Sequence, residues 1–372
     1  MPRRKPGAIA GFPALVCAFL MTLPAAIAAP PVFTAQDRIV NLGDSITDGQ
    51  TYALLLAQAL AEAHKPVPTF IGAGIGGETA ADMAKRLDRD VLFYHPTWVM
   101  LNCGINDIDQ KVKMPAFEAS VTAIADRFAK EKVPLMIFTT TNVRHGHEHR
   151  KLLAANVVLR RVAQQHGLIV AEVFARMEEA RLKHEHLWEK DGGHLNFEGY
   201  RMMTRAILDA MGYADVPVPT KLNPPLLPGL ITNWKILNLP KGAPGLTEAT
   251  AAALKPDAQW KELILPQPKP VEGWWWNQER ERGVAVALDK VYGGDARLAL
   301  TTIDSPAPRH VYINAGGNLH AVWLNGKQLP LENHGYHPGG NRIPVDLPAG
   351  TSTIVVEANA SFSVTMTDTN MW

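Results

Sequence analysis

The sequence predicts a chain in two parts: an α/β unit built on a parallel sheet with helices on both faces, followed by an all-β sandwich. Between Arg38 and Ala210, short apolar runs alternate with helix-spaced apolar patterns. Residues 216–229 hold Pro217, Pro219, Pro224, Pro225 and Pro228 and read as an extended linker. Beyond Leu230 the texture changes to short alternating runs separated by Gly, Asn and Pro. A chain of 372 residues has room for two domains of about 100–200 residues each.

In the first part, strands are expected at 39–42, 69–71, 98–101, 135–139 and 168–171, with helices at 52–63, 79–87, 116–130 and 152–166. Strand followed by helix, repeated, requires crossover connections and so a parallel sheet. Reactive groups in such sheets gather outside the carboxyl ends of the strands. In the second part, strands are expected at 284–288, 297–301, 310–313, 321–324 and 353–356, with one helical turn at 246–254. Asn325-Gly326 reads as a hairpin turn, since both central positions of such a turn take positive φ.

Hydrophobic residues at 47% and charged residues at 20% supply a core and exclude disorder or a multi-span membrane protein. Residues 1–28 have the layout of a secretory signal: Arg3, Arg4 and Lys5, an apolar stretch from Ala8 to Leu23, then Ala26-Ile27-Ala28 as a cleavage site. Gly11, Pro13 and Pro24 argue against a membrane anchor. The expected location is therefore periplasmic or secreted. The full chain has 37 Lys+Arg against 36 Asp+Glu, and removal of Arg3, Arg4 and Lys5 leaves 34 against 36. That balance offers no footprint for nucleic acid or anionic lipid. Cleavage would also remove Cys17 and leave Cys103 alone, so no internal disulfide is expected. After the apolar run Trp98-Val99-Met100-Leu101, Cys103 reads as a buried small hydrophobe.

The first strand ends in Asn41-Leu42-Gly43-Asp44-Ser45-Ile46-Thr47, with a helix soon after. A serine there is either a nucleophile, presented near amides that stabilise negative charge, or the N-cap of the helix. A serine nucleophile needs a base, a carboxylate to orient that base, and donors for an oxyanion. Asp191-Gly192-Gly193-His194 supplies carboxylate and base three residues apart, close enough for Asp191 to reach Nδ1 while Nε2 faces Ser45. Gly76 and Gly77 offer unshielded backbone N–H groups, and Asn106 within Gly104-Ile105-Asn106-Asp107 offers a side-chain amide.

These blocks, in this order, resemble the SGNH (GDSL-type) hydrolase family: Gly43-Asp44-Ser45, Gly77 within Gly74-Ile75-Gly76-Gly77-Glu78-Thr79, Gly104-Ile105-Asn106-Asp107, and Asp191 to His194. The resemblance implies a flavodoxin-like three-layer α/β/α fold. It also implies Ser45 as nucleophile, His194 as base, Asp191 as its orienter, and an oxyanion hole from the Ser45 and Gly77 amides with the Asn106 side chain. Gly72 stands where the family often has Asn. No cofactor and no metal are implied.

Arg144-His145-Gly146-His147-Glu148-His149 follows the fourth strand, and the loop is expected to line the substrate rather than bind a metal. Asp44, Arg144 and His145 are the candidate substrate contacts. His184 and His186 are expected to be exposed, and of Trp274-Trp275-Trp276 at least one is expected in a core.

In the second part, Asn233-Trp234, Trp260 to Leu263, Val322-Trp323-Leu324-Asn325-Gly326-Lys327 and Leu347 to Gly350 resemble galactose-binding-like jelly-roll domains that accompany carbohydrate-active enzymes. The expected division is 1–28 signal, 29–215 hydrolase, 216–229 linker and 230–372 β-sandwich, with chemistry and accessory function separable. The expected activity is an exported serine esterase on short-chain, O-acetyl esters of a carbohydrate, with a small-molecule or polysaccharide substrate and possible glycan binding by the sandwich. The alternatives are a lipase, thioesterase or acyltransferase on the same machinery, or a catalytically idle glycan-binding protein.

Overall fold

The computed structural model describes residues 33–143, 149–183, 186–223, 229–240, 242–265, 286–287, 297–331 and 341–368. The expected signal segment, Arg144, His145, His147, His184 and the three consecutive tryptophans lie outside the described residues.

The N-terminal part runs β1 (Arg38–Gly43), α1 (Ser45–Asp48), α2 (Thr51–Glu62), β2 (Thr69–Gly74), α3 (Ala80–Lys85), α4 (Leu87–Asp90), β3 (Trp98–Asn102), α5 (Ile105–Asp109), α6 (Met114–Glu131), β4 (Leu135–Phe138), α7 (His149–His166), β5 (Ile169–Ala171), α8 (Val173–Leu182) and α9 (Phe197–Ala210). The five strands are parallel in the order β2-β1-β3-β4-β5, a doubly wound, flavodoxin-like arrangement.

Alternation along the strands assigns the two faces. Ile39, Met100, Met136 and Phe138 join one core with Leu55 and Leu56 of α2, Met177 of α8, and Tyr200, Met203 and Ile207 of α9. Val40, Leu42, Val99, Leu101 and Ile137 point the other way, into a core with Met83 of α3, Val121 and Phe128 of α6, and Leu159 of α7. Consecutive strand residues feed opposite layers, so the strands are apolar throughout. Cys103 is buried in the second core, as expected, and burial pushes its thiol well above the ordinary range.

The C-terminal part is antiparallel and β-rich. It contains β6 (Asn233–Asn238), α10 (Glu248–Ala253), β7 (Lys261–Ile264), β8 (Val286–Ala287), β9 (Arg297–Ser305), β10 (Arg309–Leu324), β11 (Lys327–Gln328), β12 (Asn341–Leu347) and β13 (Gly350–Thr367). The eight strands form one hydrogen-bonded network along β11-β10-β13-β9-β6-β7, with β12 on β10 and β8 on β13. Alternation again serves two apolar faces: Val322, Ile354 and Val356 enter one core with Trp234 and Phe362, while Ala321, Trp323 and Val355 enter another under Ala251 of α10.

The sequence suggested separate strands at 310–313 and 321–324, whereas the structure has one strand, β10, with register shifts around Gly317 and Leu319. Gly317 has φ +102°, and a Cβ there would lie 2.4 Å from the Ser361 carbonyl oxygen. The glycine that reads as a breaker is a bulge that lets the strand continue.

The proline-rich stretch is anchored over its first half. Val216 and Leu222 are buried in the core beneath α2 and α9. Asn223 N–H donates to Gln58 Oε1 at 2.6 Å, and Arg201 Nε donates to the Pro219 carbonyl oxygen at 2.9 Å.

Candidate active site

The site starts at the turn after β1. Asp44, not Ser45, is the N-cap of α1: its Oδ1 accepts from Ile46 N–H at 3.0 Å. Asn102, at the carboxyl end of β3, donates from Nδ2 to Asp44 Oδ1 at 3.3 Å and to Thr47 Oγ1 at 3.2 Å. Tyr200 of α9 donates to the Ile46 carbonyl oxygen at 3.2 Å. With the capping task taken by its neighbour, the Ser45 side chain is left to face the pocket.

His194 Nε2 accepts from Ser45 Oγ at 2.9 Å, and Nδ1 donates to Asp191 Oδ2 at 2.6 Å. The other carboxylate oxygen of Asp191 accepts from Gly193 N–H at 2.9 Å and His194 N–H at 3.0 Å. Burial alone would raise the Asp191 pKa, but those hydrogen bonds outweigh it and hold the carboxyl below its usual range. An ionised Asp191 fixes the tautomer in which Nε2 can take a proton from Ser45.

Ser45, Gly76, Gly77, Asn106, Asp191 and His194 all line one cavity of about 620 Å³. Gly77 has φ +80°, a conformation that favours glycine. Gln110 donates to its carbonyl oxygen at 2.7 Å. Asn106 Nδ2 donates to the Glu78 carbonyl oxygen at 3.0 Å, which fixes the amide plane and leaves a second N–H on that nitrogen. Ile46, Ile105, Ile108, Val143 and Leu152 form the apolar walls.

Behind the Gly76–Gly77 loop lies a buried charge network. Arg86 Nε pairs with Glu78 at 2.6 Å, Nη1 with Asp90 at 3.2 Å, and Nη2 donates to the Gly43 carbonyl oxygen at 3.1 Å. Burial raises the Glu78 pKa, and Arg86 opposes the rise. Asp107 accepts from Ala80 N–H at 3.1 Å and, chiefly through burial, is pushed up to about 6.

The structure brings together Ser45, Gly77, Asn106, Asp191 and His194, which the sequence assigned to one site. It corrects Asp44, expected as a substrate contact: the side chain is fully buried, outside the cavity lining, and occupied in capping α1. Arg144 and His145 lie outside the described residues. His186 is exposed, as expected. Sequence reasoning missed Asn102, Gln110 and the Arg86 network. A polar residue closing the apolar run of β3 is the signal that marks Asn102; nothing local to Arg86 says which carbonyl it reaches.

Ser45 on the turn after the first parallel strand, His194 and Asp191 on a late loop, and Gly77 and Asn106 on the loops between stand in the arrangement that serine hydrolysis of the SGNH type requires. Residues 42–202, under half of the chain, match the model of the GDSL-like Lipase/Acylhydrolase family, and that match supports an ester-hydrolysing enzyme of the SGNH type. The chain is similar to an acetylxylan esterase of Geobacillus stearothermophilus, 22% identical over 208 residues that cover 48% of this chain and 94% of the relative. Among solved structures it is similar to an alpha/beta hydrolase enzyme from the metagenome of Lake Arreo, Spain, at 24% identity and TM-score 0.46, covering 49% of this chain and 98% of that one. A lipase/acylhydrolase from Enterococcus faecalis is 23% identical with TM-score 0.44, covering 50% of this chain and 100% of that one.

Proposed function

We propose that the protein is an exported serine esterase that removes short acyl groups, chiefly O-acetyl, from a carbohydrate. The observation that carries the reading is the continuous relay from Asp191 through His194 to Ser45, opening into a cavity that also holds Gly77 and Asn106. Ser45 attacks the ester carbonyl as His194 takes its proton, and the Ser45 and Gly77 amides with the Asn106 amide hold the oxyanion. His194 then protonates the departing alcohol, and water activated by the same base releases the acid from the acyl-serine.

The similarity to an acetylxylan esterase supports acetyl and carbohydrate as the two halves of the substrate. The layout of residues 1–28 supports export. A second reading, esterase or lipase action on longer chains, is favoured by the apolar walls of the cavity and its volume of about 620 Å³.

Full-length protein should be assayed on 4-nitrophenyl esters of rising chain length and, in parallel, on acetylated xylo-oligosaccharides with free acetate as the readout. The reading expects kcat/KM to be highest for acetate and acetate to be released from the oligosaccharide. An optimum at long chains with no acetate from the sugar would replace it with the lipase reading.

A further inference from the structure

The expected independence of the two parts meets a specific contact. β2 is the edge strand of the parallel sheet, and an edge strand carries carbonyl groups that the ladder does not pair. One of them, Gly72 C=O, accepts a hydrogen bond at 2.9 Å from Nη2 of Arg342, which stands on β12 of the C-terminal part. The same guanidinium lies 4.1 Å from the centre of the Tyr94 ring, a cation–π contact. Tyr94 is itself buried in the N-terminal core. Burial weighs against the charge of Arg342, and Asp90 beside it works in the opposite direction.

This contact sits at the root of the oxyanion loop. β2 ends at Gly74, and Gly76 and Gly77 of the next turn line the cavity beside Ser45. Asp90 is the acid paired with Arg86, whose other contacts are Glu78 and the Gly43 carbonyl. Arg342 therefore touches the strand that leads into the oxyanion loop and sits beside the buried network that braces it.

We propose that the C-terminal part acts on ester hydrolysis through Arg342, a positioning residue that holds β2 and so sets the placement of Gly77. The inference rests on the esterase reading of the Ser45 site. Arg342 does not touch substrate. Its effect is on where the oxyanion donors stand, and displacement of about 1 Å at a reacting centre costs up to about 10²-fold in rate.

The test uses full-length wild type, Arg342→Ala, Arg342→Lys and Ser45→Ala on a small soluble acetate ester, with hydrogen–deuterium exchange of the peptide spanning residues 72–79. In Arg342→Ala, kcat should fall about tenfold with KM little changed, because the interaction lost is one that favours the transition state. Millimolar guanidinium should restore part of that kcat in Arg342→Ala and none in wild type, Arg342→Lys should lie between them, and exchange of 72–79 should quicken. Wild-type kcat and unchanged exchange in Arg342→Ala would overturn the proposal. A fall in activity that tracks only the folded fraction, without rescue by guanidinium, would overturn it too. Ser45→Ala separates the two readings: if it retains hydrolysis, the esterase assignment fails, while the exchange of 72–79 still decides whether Arg342 holds the strand.

Discussion

Arg86 Nη2 reaches the carbonyl oxygen of Gly43 at 3.1 Å, so a buried cation on the second crossover braces the strand end that presents Ser45. Its side chain is 5% exposed, and it is paired with Glu78 and Asp90. Arg86→Ala would leave Glu78 without its cation in a largely desolvated place, while Asp90 keeps Arg89 at 2.7 Å, at a cost near the lower end of about 3–5 kcal/mol. Urea denaturation should show that loss, with a smaller one in Arg86→Lys. An unchanged midpoint would mean that the network adds nothing to the fold.

Asn106→Ala should lower kcat on a small ester by about 10²–10³-fold, the cost of one donor, with KM little affected. Its backbone contacts are those of a short helix on the surface of the cavity, so the variant should fold. An unaltered kcat would remove Asn106 from the hole.

Asp44 gives a pH dependence of stability. Burial, with Asp107 and Glu78 adding to it, lifts its carboxyl from 3.8 to about 7 against the hydrogen bond from Ile46 N–H. Among the described residues its Oδ2 has no hydrogen-bond partner, which favours the neutral form. Between these two values the folded protein keeps a proton that the unfolded chain has released. Its contribution is thus fully present below the unfolded value and lost as pH rises through about 7. Asp44→Asn keeps the N-cap acceptor and removes the titration, so its urea midpoint should decline less across that window than wild type. Asp107, raised to about 6, leaves a residual slope of the same sign. Parallel midpoint curves for the two proteins would refute the assignment to Asp44.

The relay from Asp191 to Ser45 closes on protein atoms alone, so EDTA should leave ester hydrolysis unchanged. Activity lost to EDTA and restored by zinc would turn His145, His147 and His149 into ligands.

The sheet was legible because its signals are local. Apolar runs such as Val99-Met100-Leu101 mark strands buried on both faces, and three of the four polar blocks fall where those strands end, the fourth lying between α8 and α9. Ser45, Asp191 and His194 could be placed together because their chemistry demands one another. What escaped is set by distance. Gly316 and Gly317 read as punctuation until β13 lies across them and requires a bulge. Asp44 carried no sign that it would cap a helix from inside the core. Arg342 meets Gly72 across 270 positions of sequence, and no periodicity reaches so far.

Ser45 is the residue proposed to carry the acyl group. Intact-mass and peptide analysis after incubation with a fluorophosphonate tests it directly, since the reagent trapping an activated serine needs both the hydroxyl and its base. One phosphonyl adduct per chain is expected, on the peptide containing Ser45, absent in Ser45→Ala and greatly slowed in His194→Ala. An adduct on another residue, or labelling of Ser45→Ala at the wild-type rate, would contradict it.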